Sequence, residues 1–413
     1  MTVASDIRTH PGDDLTRSQR LTYVLVLGAL TALGPFTIDM YLPAFPVLER
    51  EFDVNAAAIQ LTLTGTMVGF AVGQLLVGPL SDQIGRRRPL IAATALHIVA
   101  CFAAAFAPDL FWLGVARVLQ GLGAAAGAVV ATAMVRDLFG GYPLVRMLAH
   151  LSLVNGLAPI LAPVIGSQLL LFVDWRGLFW YLAAFGALVV VATAVFIRET
   201  LPAERRRIRG HSSVAERYGA LFRDRIYVGA VVIAGMNFSA LFAYLSSSSF
   251  LFQDVHGLSA QEYGLLFGLN SIGVVAGVQI SSRMQKRIGP AWIIAGATIV
   301  QAMSAFAMIV LDLSGAGIFG TIVPLFVFIA ACGFNFPAIS ALALVRHGAE
   351  AGTAASVLGA ANFGVAGLVS PIVGLFVIRD SIPMAAVMLV AIAVAIVALW
   401  TIVRPRTVPA LDA

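Results

Sequence analysis

Runs of about twenty mostly apolar residues, broken by short polar clusters, recur along the whole 413-residue chain. At 1.5 Å of rise per residue, a helix of that length crosses the hydrocarbon layer of a bilayer. The pattern predicts twelve such helices, at 21–45, 56–78, 90–107, 111–135, 147–172, 177–197, 227–252, 262–282, 291–311, 318–344, 352–378 and 382–403. The 262–282 segment is the most interrupted, by Asn270, Gln279, Ser281 and Ser282, and polar positions within lipid are expected to face the bundle interior. The first apolar run follows a polar stretch containing Asp6, Arg8, His10, Asp13, Asp14, Arg17 and Arg20, and no small-residue cleavage site follows it. It is therefore read as the first spanning helix rather than a removable leader.

Composition agrees: 60% of residues are hydrophobic and only 11% charged, against about 25% charged in a soluble domain, whose surface must be wet. The net charge of +5 raises the question of nucleic acid, but the basic residues lie between apolar runs and build no continuous basic face. The lipid bilayer, with its anionic inner leaflet, is the expected partner, and nucleic acid is not. Cys101 and Cys332 sit in apolar stretches and read as small core hydrophobes, with neither disulfide nor metal spacing.

Charge placement sets the expected orientation. One set of loops holds Arg8, Arg17 and Arg20, Arg86 to Arg88, Arg136 and Arg146, Arg283, Lys286 and Arg287, Arg346, and Arg404 and Arg406; the alternate set holds only Arg50, Arg176 and Arg379. Both termini are thus expected in the cytoplasm. The one long polar connection, 198–226, carries Arg205, Arg206, Arg207, Arg209, Arg217, Arg223 and Arg225. It divides the chain into a cytoplasmic tail at 1–20, a six-helix bundle at 21–197, a cytoplasmic linker at 198–226, a second bundle at 227–403 and a tail at 404–413. The halves echo one another, as carriers built from repeats do. Gly69, Gly73, Ile84 and Gly85 align at a constant offset with Gly273, Gly277, Ile288 and Gly289, and Asn155 before Pro163-x-x-Gly166 is echoed by Asn362 before Pro371-x-x-Gly374.

The chemistry-bearing residues are few. The loop after the second span reads Gly78-Pro79-Leu80-Ser81-Asp82-Gln83-Ile84-Gly85-Arg86-Arg87-Arg88. Its glycines permit close packing and a sharp turn, and Asp82 at the membrane edge has arginines at hand. Asp39 lies inside span one, between Pro35 and Pro43. An ionised carboxylate there is expensive, so it is neutral, paired or facing a wet cavity, and a group balanced among these takes and releases a proton. The prolines are expected to interrupt helix hydrogen bonding beside it; a satisfied structural acid near the outer end of its helix is the other reading. Arg117 is the arginine set well inside a span, seven residues in from the outer surface and so roughly 10 Å deep, a depth similar to that of Asp39. It stays charged, and would hold Asp39 ready or exchange partners when a cationic drug or proton arrives; a purely structural ion pair is the other reading. His97 reads as a core histidine. Polar residues in other spans, Gln60, Thr64, Asn155, Asn237, Tyr244, Asn270, Asn335 and Asn362, are candidate cavity contacts or interhelical glue, and Phe36, Met40, Tyr41 and Phe238 are candidate aromatic and apolar contacts. The sequence holds no phosphate-binding loop ending in Lys-Ser/Thr, no nucleophile elbow and no metal-ligand cluster, so neither enzyme, nor metal, nor organic cofactor is expected.

The loop at 78–88 closely resembles the signature of the major facilitator superfamily. That resemblance implies an all-α membrane protein with twelve transmembrane helices in two pseudo-symmetric six-helix bundles, usually a monomer. It further implies that Asp82 and Arg86, with Asp137 at the inner end of span four, form a cytoplasmic latch; Arg87 and Arg88 remain topogenic charge, and Lys286 stands where a second-half Asp82 would align. The run from Leu113 through Arg117, Gln120, Gly121 and Gly123 resembles the superfamily's span-four signature, in which the arginine serves proton coupling. Span five, with Pro159, Pro163 and Gly166, resembles the antiporter signature of drug exporters, although Ala162 and Ser167 replace two of its glycines. With Ile38 to Pro43, Arg136 to Phe139, Trp175-Arg176 and Phe179-Trp180, the first half is similar to the Bcr/CflA type of drug:proton antiporter. The implied function is proton-driven efflux of drug-like small molecules across a bacterial-type cytoplasmic membrane, with protons as coupling ion. Thr31 stands where some relatives carry a second acid, which speaks against doubly charged cations. Export of an endogenous metabolite on the same fold, and a non-transporting membrane sensor, are the alternatives.

Overall fold

The computed structural model describes residues 11–12, 15–206, 219, 221–344, 351–376 and 378–408. Among them are twelve helices long and apolar enough to span a membrane: Arg17–Phe52, Ala56–Ile84, Arg87–Ala105, Leu110–Leu138, Arg146–Leu169, Trp175–Phe196, Arg225–Val255, Ala260–Gln285, Pro290–Leu313, Gly317–Leu344, Ala354–Gly374 and Ile382–Thr407. These are spans one to twelve, and no strand occurs among the described residues. Helices suit the setting because every backbone N–H and C=O is satisfied within the segment. Their starts are capped by short polar side chains. Asn55, Asp109 and Asp174 accept backbone N–H groups at 3.0, 3.0 and 3.2 Å, and Ser259 forms a capping box with Glu262.

Span one departs most from expectation. Its α-helix stops at Asp39, gives way to a 3₁₀ turn at Leu42–Ala44, and resumes as Phe45–Phe52. Asp39 therefore ends the first helix at a break inside the span, thirteen residues before Phe52 and level with Arg117 of span four. Span eight also corrects the sequence reading in part. Asn270 and Ser281 are buried, but Gln279 and Ser282 are exposed near the arginine-rich end.

Packing follows the small residues. Span four is a hub because three of its glycines each seat a different neighbour. A Cβ at Gly121 would lie 3.0 Å from the Thr66 backbone of span two, one at Gly123 2.6 Å from Ala93 O of span three, and one at Gly127 2.8 Å from the Leu30 backbone of span one. Close backbone approach of this kind is what holds helices together where no water is available to be released. The repeated glycines do equivalent work in each half. Gly69 and Gly73 bring span two against span four, while Gly273 and Gly277 bring span eight against span ten. Gly85 and Gly289 end spans two and eight with positive φ, at 99° and 81°.

Spans one to six pack chiefly on one another, as do seven to twelve; spans two and eleven, and spans five and eight, carry most of the contact between the two groups. At the end opposite the arginine-rich loops the groups are tied by glutamine amides. Gln60 donates to Ser246 O (3.1 Å) and accepts Gly374 N–H (3.1 Å), Gln253 donates to Pro43 O (3.1 Å), and Gln261 donates to Ser167 O (2.8 Å). The tail residues 1–10 and linker residues Arg207, Arg209 and Arg217, with Arg346, lie outside the described residues.

Candidate functional site

The break in span one has two faces with different chemistry. Successive helical residues are 100° apart, so Thr37 and Tyr41 share a face and Asp39 points away from it. Arg117 of span four takes the first face. Its Nη1 donates to Thr37 O (2.9 Å) and to Gln120 Oε1 (2.6 Å), and its guanidinium lies over the Tyr41 ring at 4.5 Å and near the Phe179 ring at 5.8 Å. Arg117 is wholly buried, and its Nε and Nη2 have no hydrogen-bond partner among the described residues. Aromatic faces partly offset the desolvation of a buried guanidinium, by about 1–2 kcal/mol. The polar chain continues behind it: Gln120 Nε2 donates to Cys101 Sγ (3.0 Å), which lies 3.4 Å from His97 Nε2, while His97 Nδ1 lies 3.3 Å from Gln120 O. A carbonyl only accepts, so the His97 proton is on Nδ1. His97 is a satisfied core residue, and Cys101 is a hydrogen-bond acceptor as well as a small apolar filler.

Asp39 takes the other face. It is buried, 5% exposed, and no hydrogen bond or ion pair engages its carboxyl among the described residues. The structure does not bring Asp39 and Arg117 into a pair. The carboxyl instead lies within electrostatic range of Tyr244 and Tyr263, on spans seven and eight. Tyr244 OH accepts from Asn270 Nδ2 (3.0 Å), and Tyr263 OH shares a hydrogen bond with Ser248 Oγ (2.9 Å).

Span five closes this region from the side. A Cβ at Gly166 would lie 2.9 Å from Met40 Cγ and still closer to Met40 O, so the glycine lets span five rest directly on the break beside Asp39. Pro163 has no N–H for the carbonyl four residues back, which frees Pro159 O. Ser271 Oγ of span eight donates to Phe267 O of its own helix (2.9 Å) and lies 3.4 Å from that freed oxygen, so the kinked helix rests against the other half there.

At the arginine-rich end, Asp82, Arg86 and Asp137 come together. Arg86 Nη1 meets Asp82 Oδ1 at 2.5 Å and Ser81 Oγ at 2.9 Å, and Arg86 Nε meets Asp137 Oδ2 at 2.8 Å. Burial alone would lower the Arg86 pKa; the Asp137 and Asp82 carboxylates outweigh it and raise it. Two participants were not expected. Thr200 Oγ1 donates to Asp137 Oδ2 (3.2 Å), and Glu199 accepts the N–H groups of Arg86 (2.8 Å), Leu201 (3.0 Å) and Arg87 (3.1 Å). Gly85 is required twice, for its positive φ and because a Cβ there would sit 2.9 Å from the Glu199 carboxyl carbon.

The remaining candidates separate. Phe36 packs on Phe185, Met40 and Tyr41 are buried within the first half, and Asn155 is exposed. Gln60 is occupied at both ends as a tie between halves, which its position in the sequence did not reveal. Asn237 and Asn335 join Gln301, a residue the sequence reading passed over, in a buried amide cluster on spans seven, nine and ten. Gln301 lies at the same offset from His97 as Gly273 from Gly69, and it donates to Cys332 Sγ (2.9 Å) as Gln120 does to Cys101. Phe238 and Asn362 line a small cavity beside that cluster.

Twelve membrane-length helices in two repeat-related groups, together with the family match that follows, define a membrane transporter for small molecules. The chain belongs to the Major Facilitator Superfamily, whose sequence profile matches residues 27–371. It is 32% identical over 393 residues to an uncharacterised MFS-type transporter, YdgK, of Bacillus subtilis, covering 95% of this chain and 98% of the relative. It is 29% identical to a bicyclomycin resistance protein homolog of Haemophilus influenzae, covering 92% and 95%. The multidrug resistance protein MdtL of Escherichia coli is 29% identical over 62% of this chain and 64% of its own length. Among solved structures, a bacterial homolog of the human lysosomal transporter Spinster superposes with a TM-score of 0.75 at 14% identity, covering 96% of this chain and 100% of its own. The xylose transporter XylE of E. coli superposes with 0.74 at 12%, covering 95% and 98%. At that identity these two speak to the fold alone.

Proposed function

We propose that this protein exports drug-like small molecules in exchange for protons, by alternating access between bundles at 21–197 and 227–403. The observation that carries the reading is the Asp39 carboxyl, buried at a helix break with no ion-pair partner among the described residues. An ionised carboxylate in that setting costs several kcal/mol unless water reaches it, whereas the protonated acid is tolerated. Proton occupancy is thereby coupled to whether the break faces water. Arg117, fastened to Thr37 O and Tyr41, holds the unwound backbone in place and contributes a fixed positive charge without competing for the Asp39 oxygens. The Gly166–Met40 contact ties the break to span five, so a proton or substrate arriving at Asp39 moves the helix that carries Pro159 and Pro163.

The latch of Asp82, Arg86 and Asp137, clamped by Glu199, joins spans two, three and four to the start of the linker, and is the part expected to break and remake between states. The excess of arginine supports a cytoplasmic position for it and for both termini in a bacterial-type membrane. The printed names of the bicyclomycin-resistance and multidrug-resistance relatives support drug-like cargo rather than a nutrient.

Drug uptake into the lumen of inside-out vesicles tests the reading: accumulation collapsed by an uncoupler, and lost in Asp39→Asn, is expected. Export insensitive to the uncoupler contradicts it. A protein silent toward drugs that exports a metabolite would retain the mechanism and change the cargo.

A further inference from the structure

Beside the Asn237–Gln301–Asn335 cluster lies a cavity of about 60 Å³, lined among others by Asn237, Phe238, Phe336, Ser340, Leu358 and Asn362. Asn237 is wholly buried, and its Oδ1 accepts from Gln301 Nε2 (3.0 Å) and Asn335 Nδ2 (3.0 Å). In this arrangement its Nδ2 faces away from both neighbours and has no partner among the described residues. Asn362 Oδ1, on the same cavity, is buried and also without a partner. One small space thus holds one unused donor and one unused acceptor. A buried polar group left dry is penalised, so each orphan favours a ligand group that meets it. The remaining wall is mostly apolar: Phe238 meets Phe336 at 5.7 Å, beside Ala234, Ile339 and Leu358, with Ser340 completing it. No Asp, Glu, Lys, Arg or His lines the cavity.

Resting on the transport reading above, we propose that Asn237 and Asn362 form the recognition point for a neutral carboxamide-like group of the transported molecule. Asn237 Nδ2 donates to its carbonyl oxygen, Asn362 Oδ1 accepts its N–H, and Phe238 and Phe336 flank the attached ring. The space is that of a few water molecules, so it takes one functional group and leaves the body of the ligand outside. Recognition then lies in the second half and charge chemistry at Asp39 and Arg117 in the first. A fixed positive charge and a single intramembrane acid in the first half, beside a charge-free cavity in the second, select uncharged amides over charged analogues.

The test uses three probes that share one ring: benzamide, benzoate and benzylamine, read by ligand-observed NMR on the purified full-length protein. Benzamide is expected to bind, and the two charged analogues at least tenfold more weakly. Asn362→Leu removes the acceptor. Asn237→Asp keeps the acceptor that Gln301 and Asn335 need while removing the donor; each is expected to weaken benzamide at least tenfold. Benzamide bound equally by wild type and both variants, or equal binding of all three probes, overturns the proposal, the orphan groups then being served by water. Should one variant fail to fold, the other and the probe ranking still decide. Asp39-dependent proton flux is measured separately on the wild type. Flux without amide selectivity overturns only this inference, and amide selectivity without flux overturns only the proton-coupled reading.

Discussion

Arg117 grips span one at Thr37 O and over the Tyr41 ring, yet leaves Asp39, between those two positions, facing the other half of the molecule. The cation and the acid therefore share a helix break without sharing a bond. The arginine's planar fork matters here as much as its charge, since it donates in-plane to Thr37 and Gln120 while its face lies on aromatic rings.

Replacing Arg117 with Lys is accordingly expected to fail as a conservative change. A lysine ammonium supplies charge but neither the fork nor the stacked face, and the loss of one charge-assisted bond and the ring contact amounts to about 2–3 kcal/mol. Substrate-driven proton flux in proteoliposomes should fall in Arg117→Lys nearly as far as in Arg117→Ala. Recovery of most of the flux by lysine would show that charge alone suffices.

The latch is asymmetric, and its two carboxylates should not be equivalent. The Asp137 side chain is 17% exposed and also accepts from Thr200, whereas Asp82 is 32% exposed and pairs within one helical turn. Asp137→Ala is expected to lower stability by about 1–3 kcal/mol, and Asp82→Ala by under about 1 kcal/mol. Thermal unfolding in detergent separates the two; equal losses would count against the buried geometry.

Glu199 gives the arginine-rich end a pH dependence. Burial alone would raise its carboxyl pKa, but the N–H groups of Arg86, Leu201 and Arg87, with Arg206 nearby, outweigh it and hold the value below the ordinary 4.5. A depressed folded value contributes stability that is fully present above the unfolded value and lost as pH falls through the folded one. The melting temperature should therefore lose this contribution only below pH 4.5. Glu199→Gln should remove that part of the acid limb and leave the neutral region nearly flat. A variant profile superimposable on wild type would assign the acid limb to other groups.

Much of this was legible in the sequence where the signal is local. Twelve spans follow from apolar length, and Asp82 and Arg86 are visible as partners because they lie one helical turn apart. Glu199 was not, because it meets Arg86 across 113 positions from what reads as the start of a polar linker. The short helix Phe45–Phe52 was not legible either, because it carries span one beyond the apolar run. Similar depth was taken to favour pairing with Arg117, although helical phase already sets Asp39 opposite Thr37 and Tyr41. Gln301 was invisible for another reason: it answers Asn237, a group on a distant helix that only packing brings near.

The most direct measurement is proton movement in proteoliposomes containing wild type or Asp39→Asn, with a drug-like substrate and a lumenal pH dye. The account predicts substrate-dependent proton flux in wild type, and in Asp39→Asn substrate binding that persists while the flux is abolished. Undiminished proton flux in a folded Asp39→Asn protein would contradict it.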